Sequence, residues 1–255
     1  WIAALFAAER IWPAAARPGP AREAWSPRPG AVRSPGWRRL GRNLALWLIH
    51  TALSPLLVLP LTAWAASARW GIDWRPDWLS GGWGLVADLL LLDFLIYWWH
   101  RVNHRFPVLW RFHAVHHLDC FLDTTTALRF HFGEVLLSAL ARAGVIVLLG
   151  IPLLSVLVFE ALVLAATAFH HSNLRLPPRL EQALSRFVVT PSIHWVHHHA
   201  DRRDTDSNYA TVLSLWDPLF GTRSRMRRHP SMPIGVEGQG EEDLPALIGR
   251  PFRSA

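Results

Sequence analysis

Histidine is the residue type whose spacing in this chain points most directly to chemistry. The stretches HWVHHHAD (194–201) and HAVHHLD (113–119) share the pattern H-x-x-H-H. In a helix, positions i, i+3 and i+4 lie on one face, so each repeat presents three imidazoles in the same direction. His100 and His104, four residues apart, form a third set of this kind. Because neutral imidazole is the commonest metal ligand in proteins, the three sets predict a metal site.

The number of histidines bears on the kind of metal site. A structural zinc site uses four ligands and a catalytic one three, so the eight histidines of the three sets suit two ions with open positions. The single cysteine, Cys120, excludes an internal disulfide, a thiolate zinc site and an iron–sulfur cluster held by this chain alone. Nitrogen ligands do not identify the ion, since zinc, iron, copper and nickel all accept them.

Long apolar segments must position these histidines. The chain is 51% hydrophobic with 15 tryptophans and a mean hydropathy of +0.17. Residues 43–66 can cross a ~30 Å hydrocarbon layer, and residues 83–99 form a second apolar run that leads directly into His100. Residues 135–150 and 153–169 are shorter and predict either two thin crossings or a re-entrant hairpin. The sequence therefore predicts an all-α, integral-membrane helical bundle.

Arginine placement predicts the orientation of that bundle. All 26 basic residues are arginine, and the formal net charge is +7. If the first two runs cross, residues 10–42, 101–132 and 172–255 share one side and hold 8, 4 and 11 arginines, against 2 in residues 67–82. The positive-inside rule makes that side cytoplasmic and puts a histidine-rich helical cap there. We expect a bacterial inner membrane, and no nucleic-acid partner, because basic charge also accompanies membranes.

Composition divides the chain into three parts. Residues 1–42 read as an N-terminal membrane stump followed by a linker rich in proline and arginine. Residues 43–229 contain the apolar runs and the histidine sets and form the expected membrane-embedded catalytic domain, and residues 230–255 read as a polar C-terminal tail. Asp88 and Asp93 lie inside the second apolar run, where ionisable groups usually face a bundle interior or a functional site.

Over about residues 83–222 the sequence resembles the fatty acid hydroxylase/sterol desaturase superfamily of integral-membrane di-iron oxygenases. The resemblance rests on the stretches DFLIYWWHRVNH, LWRFHAVHHLD, TTTALRFHFGE, FHHSNLRLP and VTPSIHWVHHHADRRDTDSNYATVLSLWDPLFGT. It implies that two iron ions are bound by His100, His104, His113, His116, His117, His171, His194, His197 and His198, with His131 as an optional further ligand. It also implies that the imidazoles are oriented by Asp93, Asp119, Asp201, Asp206 and Asn208.

The resemblance implies an O₂-dependent hydroxylase or desaturase that acts on an unactivated C–H bond of a lipid, such as a sterol, a fatty acyl chain or a carotenoid. Two redox-active ions can share the electrons needed to cleave O₂, while histidine ligation leaves positions open for it. The sequence has no G-x-G-x-x-G motif after a strand and no cysteine set for an iron–sulfur cluster. The electrons are therefore expected from an external ferredoxin, cytochrome or reductase.

Two other functions would use the same histidines. A membrane zinc hydrolase would lower the pKa of a bound water, although the sequence lacks the H-E-x-x-H motif typical of zinc proteases. A non-enzymatic metal carrier or haem-binding membrane protein is the other alternative, but haem needs only one or two axial histidines and leaves most of these unexplained. A hydrolase would need neither O₂ nor a reductant, which separates it from an oxygenase.

Overall fold

The structure, a computed structural model, describes residues 1–16, 36–68 and 75–253. Helices connected by turns make up this part of the chain, which contains isolated β-bridges but no strand. The described α-helices are α1 (Ile2–Ile11), α2 (Gly36–Ser67), α3 (Gly81–Arg105), α4 (Pro107–His117), α5 (Phe132–Leu149), α6 (Leu153–His171), α7 (Pro178–Leu184), α8 (Pro191–His197), α9 (Arg202–Thr205), α10 (Trp216–Leu219) and α11 (Leu244–Gly249). Short 3₁₀ turns lie at Asp77–Leu79, Thr124–Leu128 and Arg250–Phe252. The predicted all-α fold is confirmed.

Two of the expected segments fall mainly on undescribed residues. Most of the proline- and arginine-rich linker lies within residues 17–35, and part of the connector after the first apolar run lies within residues 69–74. The last residues of the expected linker are helical, because α2 begins at Gly36 and continues through Pro55 and Pro60. The first membrane helix is therefore longer than the apolar run that predicted it.

Four helices, α2, α3, α5 and α6, are long and apolar enough to cross a membrane. Between 6% and 28% of their most apolar windows is buried inside the protein, so most of this surface needs an apolar surrounding. The 18 residues of α5 and the 19 of α6 extend over roughly 27 and 28 Å, close to a full hydrocarbon thickness. The left-handed Gly150 ends α5, and Pro152 precedes α6. The two helices are therefore joined by a turn of three residues, 150–152.

Ionisable groups within these apolar helices are paired. Asp88 of α3 forms a salt bridge of 2.9 Å with Arg75 and accepts a hydrogen bond of 2.6 Å from the hydroxyl of Ser155 in α6. Arg142 of α5 and Glu160 of α6 form an ion pair of 3.0 Å that connects the two helices. Pairing of this kind lowers the cost of placing charge near hydrocarbon. The charges that marked these runs in the sequence therefore have structural partners.

The N-terminal segment packs on the end of the bundle that carries the histidines. The indole N–H of Trp1 donates to the carbonyl of Ala165 in α6 over 2.9 Å. The fully buried carboxylate of Glu9 accepts hydrogen bonds of 2.9 Å from the backbone N–H groups of Thr124 and Asn173 and from the Thr124 hydroxyl. This segment therefore fixes the end of α6 relative to the 3₁₀ turn after α4.

The C-terminal segment covers the histidine region instead of extending into solvent. The N–H of Gly235 donates to the carbonyl of His198, and the N–H of Ala200 donates to the carbonyl of Pro233. Leu247 of α11 is fully buried in a cluster with side chains of α2 and α4. Part of the expected polar tail thus contributes to the core, and residues 254–255 lie outside the described residues.

Candidate metal centre

The histidines converge where α3 and α6 end and where α4 and α8 lie against them. They form two groups, in each of which the potential ligand atoms all lie within 4.8 Å of one another. The first histidine group consists of His100, His104, His113, His117 and His197. The second histidine group consists of His116, His171, His194 and His198. All nine histidines that the sequence singled out as ligands are brought together, and eight of them are less than 5% exposed.

The two H-x-x-H-H repeats divide between the groups in opposite ways. In α4, His113 and His117 belong to the first group and His116 to the second. At α8 the i, i+4 pair, His194 and His198, belongs to the second group, whereas the intervening His197 belongs to the first. Each helix therefore lies between the two groups and contributes to both, and α3 and α6 complete the first and second group respectively.

The two groups are in direct contact. The rings of His117 and His198 stack with centroids 4.3 Å apart and an interplanar angle of 17°. His113 of the first group lies 5.6 Å from His116 of the second, measured between ring centroids. The site is thus one continuous buried cluster that consists of two adjoining groups of potential metal ligands.

Backbone carbonyls fix the orientation of four of the rings. The Nδ1 atoms lie 2.6–3.1 Å from carbonyl oxygens in the pairs His100–Tyr209, His116–Arg129, His171–Thr167 and His197–Ser207. Because a carbonyl oxygen only accepts hydrogen bonds, Nδ1 must donate. A neutral ring with its proton on Nδ1 has a lone pair on Nε2. The backbone therefore selects the tautomer in which Nε2 can bind a metal.

The Nε2 atoms of the second group face one another. Those of His116 and His171 are 3.0 Å apart, although both rings use their proton on Nδ1. No hydrogen bond can form between two lone pairs, whereas a cation bound by both atoms would make the approach favourable. In the first group, Nε2 of His104 and Nε2 of His197 are buried and have no hydrogen-bond partner in the described part of the chain. Buried polar atoms of this kind are rare without a ligand. The donor set fits two transition-metal ions that prefer nitrogen.

Burial keeps the imidazoles neutral. It lowers the pKa of His116, His117, His194, His197 and His198 well below the usual value, and neighbouring imidazoles lower it further because two adjacent positive charges repel. A protonated ring cannot bind a metal, so this environment maintains the form that can. The cluster is therefore ready for metal binding at neutral pH.

Two carboxylates contact rings of the first group. Glu134, at the start of α5, lies 2.7 Å from Nδ1 of His113, and Asp206 lies 3.3 Å from Nδ1 of His104. A carboxylate that accepts from Nδ1 fixes the ring and makes Nε2 a stronger ligand. The sequence indicated Asp206 for this role. Glu134 stood in one of the quoted stretches, but without an assigned role.

Three other residues expected to orient imidazoles are engaged elsewhere in the described structure. Asp93 accepts hydrogen bonds from the backbone N–H groups of Val212 and Leu213 and from the indole of Trp216, and so anchors α3 to the segment before α10. Asp201 caps the start of α9 and pairs with its second residue. Asn208 adopts a φ of 52° and donates to a carbonyl of α8. Their contacts support the loops around the histidines instead of the rings themselves.

Asp119 supports the site indirectly. It forms an ion pair with Arg39 of α2 and accepts hydrogen bonds from Asn43 and Thr126. Burial alone would raise the pKa of Asp119, but Arg39 and the nearby Arg129 more than offset this, so the pKa lies below its usual value. Arg129 in turn donates to the carbonyl of Val115 in α4 and supplies the carbonyl that holds the ring of His116. In the described structure Asp119 therefore bonds to Arg39, Asn43 and Thr126, and its link to the imidazoles runs through other residues.

Other histidines lie outside both groups. In His131, the optional ligand, Nδ1 accepts from the N–H of Gly133 and Nε2 donates to the carbonyl of Ile248, so both nitrogens are used to begin α5 and to hold α11. His199, the fourth histidine of the opening stretch, bonds to Asp204. His170 is buried beside the second group, and its ring centroid lies 3.9 Å from that of His194.

Residues 85–222, which include all nine clustered histidines, match the family model described as fatty acid hydroxylase. The chain belongs to this family. It is 31% identical over 179 residues to the ornithine lipid hydroxylase OlsE of Rhizobium tropici, which covers 69% of this chain and 53% of that protein. It is also 31% identical over 140 residues to the human alkylglycerol monooxygenase, which covers 55% of this chain and 30% of that protein.

Another family relative is the cholesterol 25-hydroxylase-like protein of Danio rerio, 32% identical over 151 residues and 58% of each chain. The chain thus spans about half the length of the ornithine lipid hydroxylase, 53%, and a smaller share of the monooxygenase. No solved structure matches it significantly. The chain is thus a member of the fatty acid hydroxylase family with four helices that are long and apolar enough to cross a membrane.

Proposed function

We propose that this chain uses O₂ to hydroxylate an unactivated C–H bond of a membrane lipid, with one iron ion bound by the first histidine group and one by the second. When bound, the two ions would supply the redox chemistry that O₂ cleavage and C–H oxidation require, which acid–base side chains cannot supply. The protein's own contribution is to hold nine imidazole rings in position and to keep bulk water away from them. Desaturation begins with the same hydrogen abstraction and differs only in the product.

The lone-pair contact between Nε2 of His116 and Nε2 of His171, 3.0 Å apart, is the observation that carries this proposal. Both rings donate from Nδ1 to a carbonyl, so neither can donate to the other. A single structural zinc site would need only four ligands, whereas nine imidazoles in two adjoining groups are present here. Histidine-rich ligation with open positions suits a redox-active pair of ions.

We further propose that the substrate is a lipid with a polar headgroup. Two relatives are named for such lipids, an ornithine lipid and an alkylglycerol. His104 and His171 lie at the ends of α3 and α6, where these helices leave the apolar layer. A lipid whose headgroup stays in the interface would bring carbons near that headgroup to this depth. We therefore expect oxidation close to the headgroup and not at the methyl end of the chain.

We also propose that the site faces the cytoplasm of a bacterial inner membrane. The segments that follow α3 and α6 are the arginine-rich ones, and the positive-inside rule assigns such segments to the cytoplasm. Electrons would then come from a soluble or membrane-associated cytoplasmic donor, because the described residues contain no cysteine set for an iron–sulfur cluster.

Metal analysis combined with O₂ uptake tests the proposed function. The purified protein in lipid nanodiscs should contain about two irons per chain and should consume O₂ only after anaerobic reduction. With ¹⁸O₂ and a panel of ornithine lipid, alkylglycerol and phospholipid, the product should carry one ¹⁸O atom. Zinc as the purified metal, with turnover in the absence of O₂ and reductant, would establish the hydrolase alternative instead.

Matched histidine variants complete this test. His116→Ala removes one of the two facing lone pairs and should cost metal and O₂ uptake, whereas His229→Ala removes an exposed histidine outside both groups and should retain both. Equal metal content in the two variants would contradict the ligand assignment.

A further inference from the structure

The first histidine group is connected to the protein surface by one aromatic side chain, Trp110 of α4. The ring centroid of Trp110 lies 4.9 Å from that of His104 and 5.3 Å from that of His117. Trp110 is only partly buried. The guanidinium of Arg202 lies over the indole, with its carbon 4.6 Å from the ring centroid, a favourable cation–π distance. One indole thus contacts two candidate metal ligands and a charged residue at the surface.

Arg202 is well placed at this surface. Its side chain is 46% exposed, and it donates to the carbonyl of His104 at the end of α3. It also pairs with Asp206, the carboxylate that contacts Nδ1 of His104. The path from solvent to the first histidine group therefore passes through a short series of contacts with no intervening helix.

The surroundings of Trp110 carry positive charge. Residues 101–111 include three arginines and no acidic residue, and with residues 201–206 the balance is five arginines against three aspartates. Arg105, Arg202 and Arg203 are exposed. Such a surface attracts an acidic partner and accelerates its encounter at low ionic strength.

Apolar side chains complete the features of a docking surface. Phe106 is 56% exposed and Val108 is 65% exposed, and both lie between Arg105 and Trp110 in the chain. Protein interfaces are typically enriched in aromatic residues and arginine, with apolar anchors at the centre and charge at the rim. We call the surface formed by Arg105, Phe106, Val108, Trp110, Arg202 and Arg203 the arginine–tryptophan face.

We infer, on the basis of the proposed function, that an acidic one-electron carrier protein docks on the arginine–tryptophan face and that its electrons reach the first histidine group past Trp110. The transfer would be a single-electron step, in which the carrier's reduced [2Fe–2S]⁺ cluster would give one electron to a ferric ion held by the first histidine group. No bond is formed or broken, and no proton or group is exchanged in this step. Trp110 acts as a positioning and conducting contact and not as a metal ligand.

Docking and electron transfer can be tested separately with a plant-type [2Fe–2S] ferredoxin as the acidic probe. Its binding is measured on zinc-loaded protein in nanodiscs, where no electron transfer occurs. Arg105→Glu/Arg203→Glu should weaken this binding by about tenfold at low ionic strength, and the difference should shrink at high salt. The control is Arg186→Glu, a reversal at an exposed arginine next to α7, which should bind like the wild type.

Electron transfer is followed as the rate of iron reduction in iron-loaded protein. At a ferredoxin concentration that saturates binding, Trp110→Leu should lose most of the ferredoxin-driven reduction, while reduction by dithionite should be affected much less. The inference would be overturned if Arg186→Glu weakened binding as much as Arg105→Glu/Arg203→Glu. It would also be overturned if ferredoxin-driven reduction were intact in Trp110→Leu. Wild-type iron that dithionite cannot reduce would instead overturn the proposed function, so the two failures are distinguishable.

Discussion

The orientation and tautomer of six imidazoles in this protein depend on the groups that contact their Nδ1 atoms. Backbone carbonyls hold four of the nine clustered rings, and the carboxylates of Glu134 and Asp206 contact two more. These contacts determine which nitrogen carries the proton and therefore which nitrogen can bind metal. The carboxylates can be altered by mutation without removing a ligand, whereas the carbonyls cannot.

The interaction between Glu134 and His113 leads to a prediction about affinity. Glu134→Ala should weaken metal binding at the first centre by roughly 10–100-fold, because the ring of His113 loses the group that orients it. Glu134→Gln keeps an oxygen acceptor and should have a smaller effect. Competition with a chelator, followed by metal analysis, measures this. Equal metal retention in Glu134→Ala and the wild type would show that the contact has no role in binding.

The depressed histidine pKa values predict how the metal-free protein responds to pH. In the unfolded chain histidine titrates near 6.5, whereas burial keeps the pKa of His116, His117, His194, His197 and His198 well below this in the folded state. Below about pH 6.5 the unfolded chain therefore binds more protons, and stability must fall as pH falls. The melting temperature of metal-free protein should be lower at pH 5.5 than at pH 7.5. A constant or higher value at pH 5.5 would contradict this burial effect.

At the scale of elements, α4 and α8 each lie between the two centres and use the same motif in opposite senses. In α4 the i, i+4 pair of the motif belongs to the first group, and at α8 it belongs to the second. A change at one position of α8 should therefore affect one centre more than the other. This gives a test that general misfolding would not satisfy.

His194→Ala and His197→Ala form the matched pair for this test. His194 belongs to the second group and His197 to the first, so each variant should lose about one of the two expected irons per chain and retain the other. Metal analysis gives the stoichiometry, and the spectrum of the remaining ion should differ between the variants because its ligands differ. Identical spectra from the two variants would rule out the division of α8 between the centres.

The start of α3 depends on a close backbone approach at Gly84. A Cβ atom there would overlap the backbone carbonyl of Leu79, whereas a Cβ at Gly82 would meet nothing within 4 Å. Gly84→Ala should therefore destabilise the protein by about 1–3 kcal/mol, as overpacking does, and Gly82→Ala should be neutral or slightly stabilising. Thermal unfolding in detergent compares the two. Equal melting temperatures would mean that the turn before α3 relaxes freely.

The sequence predicted the four long helices from their apolar runs and eight of the nine clustered histidines from their helical spacing, whereas His171 was implied only by the family resemblance. It did not predict the partners of Nδ1, since most are backbone carbonyls, which any residue can provide. Asp119 follows His117 by only two positions, yet its carboxylate pairs with Arg39, which precedes it by 80 residues. The spacing of an H-x-x-H-H repeat did not predict how its members divide between two centres, since a helix placed between the centres directs i and i+4 to one and i+3 to the other.

At the scale of the whole molecule, both chain ends pack against the histidine region. Glu9 hydrogen-bonds to Asn173 at the end of α6, and Leu247 is buried against α2 and α4. The composition of the C-terminal segment did not predict this packing, because the segment has more charged residues than buried apolar ones. A few well-placed apolar side chains are enough to hold such a segment in the core.

Leu247 and its neighbour Ile248 test whether the C-terminal segment stabilises the whole protein. Leu247 is 0% exposed and Ile248 is 40% exposed, so only the first fills a packed site. Leu247→Ala should cost about 2–5 kcal/mol, while Ile248→Ala should have a much smaller effect. Heat-induced loss of helical signal measures both. A similar loss in the two variants would indicate that α11 is not part of the cooperative core.

The sequence positions of the two histidine groups have a consequence for biosynthesis. Four members of the first group lie between residues 100 and 117, whereas the second group needs residues from 116 through 198. During translation, most residues of the first group are therefore synthesised well before the second group is complete. Glu9 can form its hydrogen bond to Asn173 only after α6 has been synthesised. Iron acquired during synthesis should enter the earlier shell first, and a pulse of labelled iron given to nascent chains stalled after α4 would reveal whether it does.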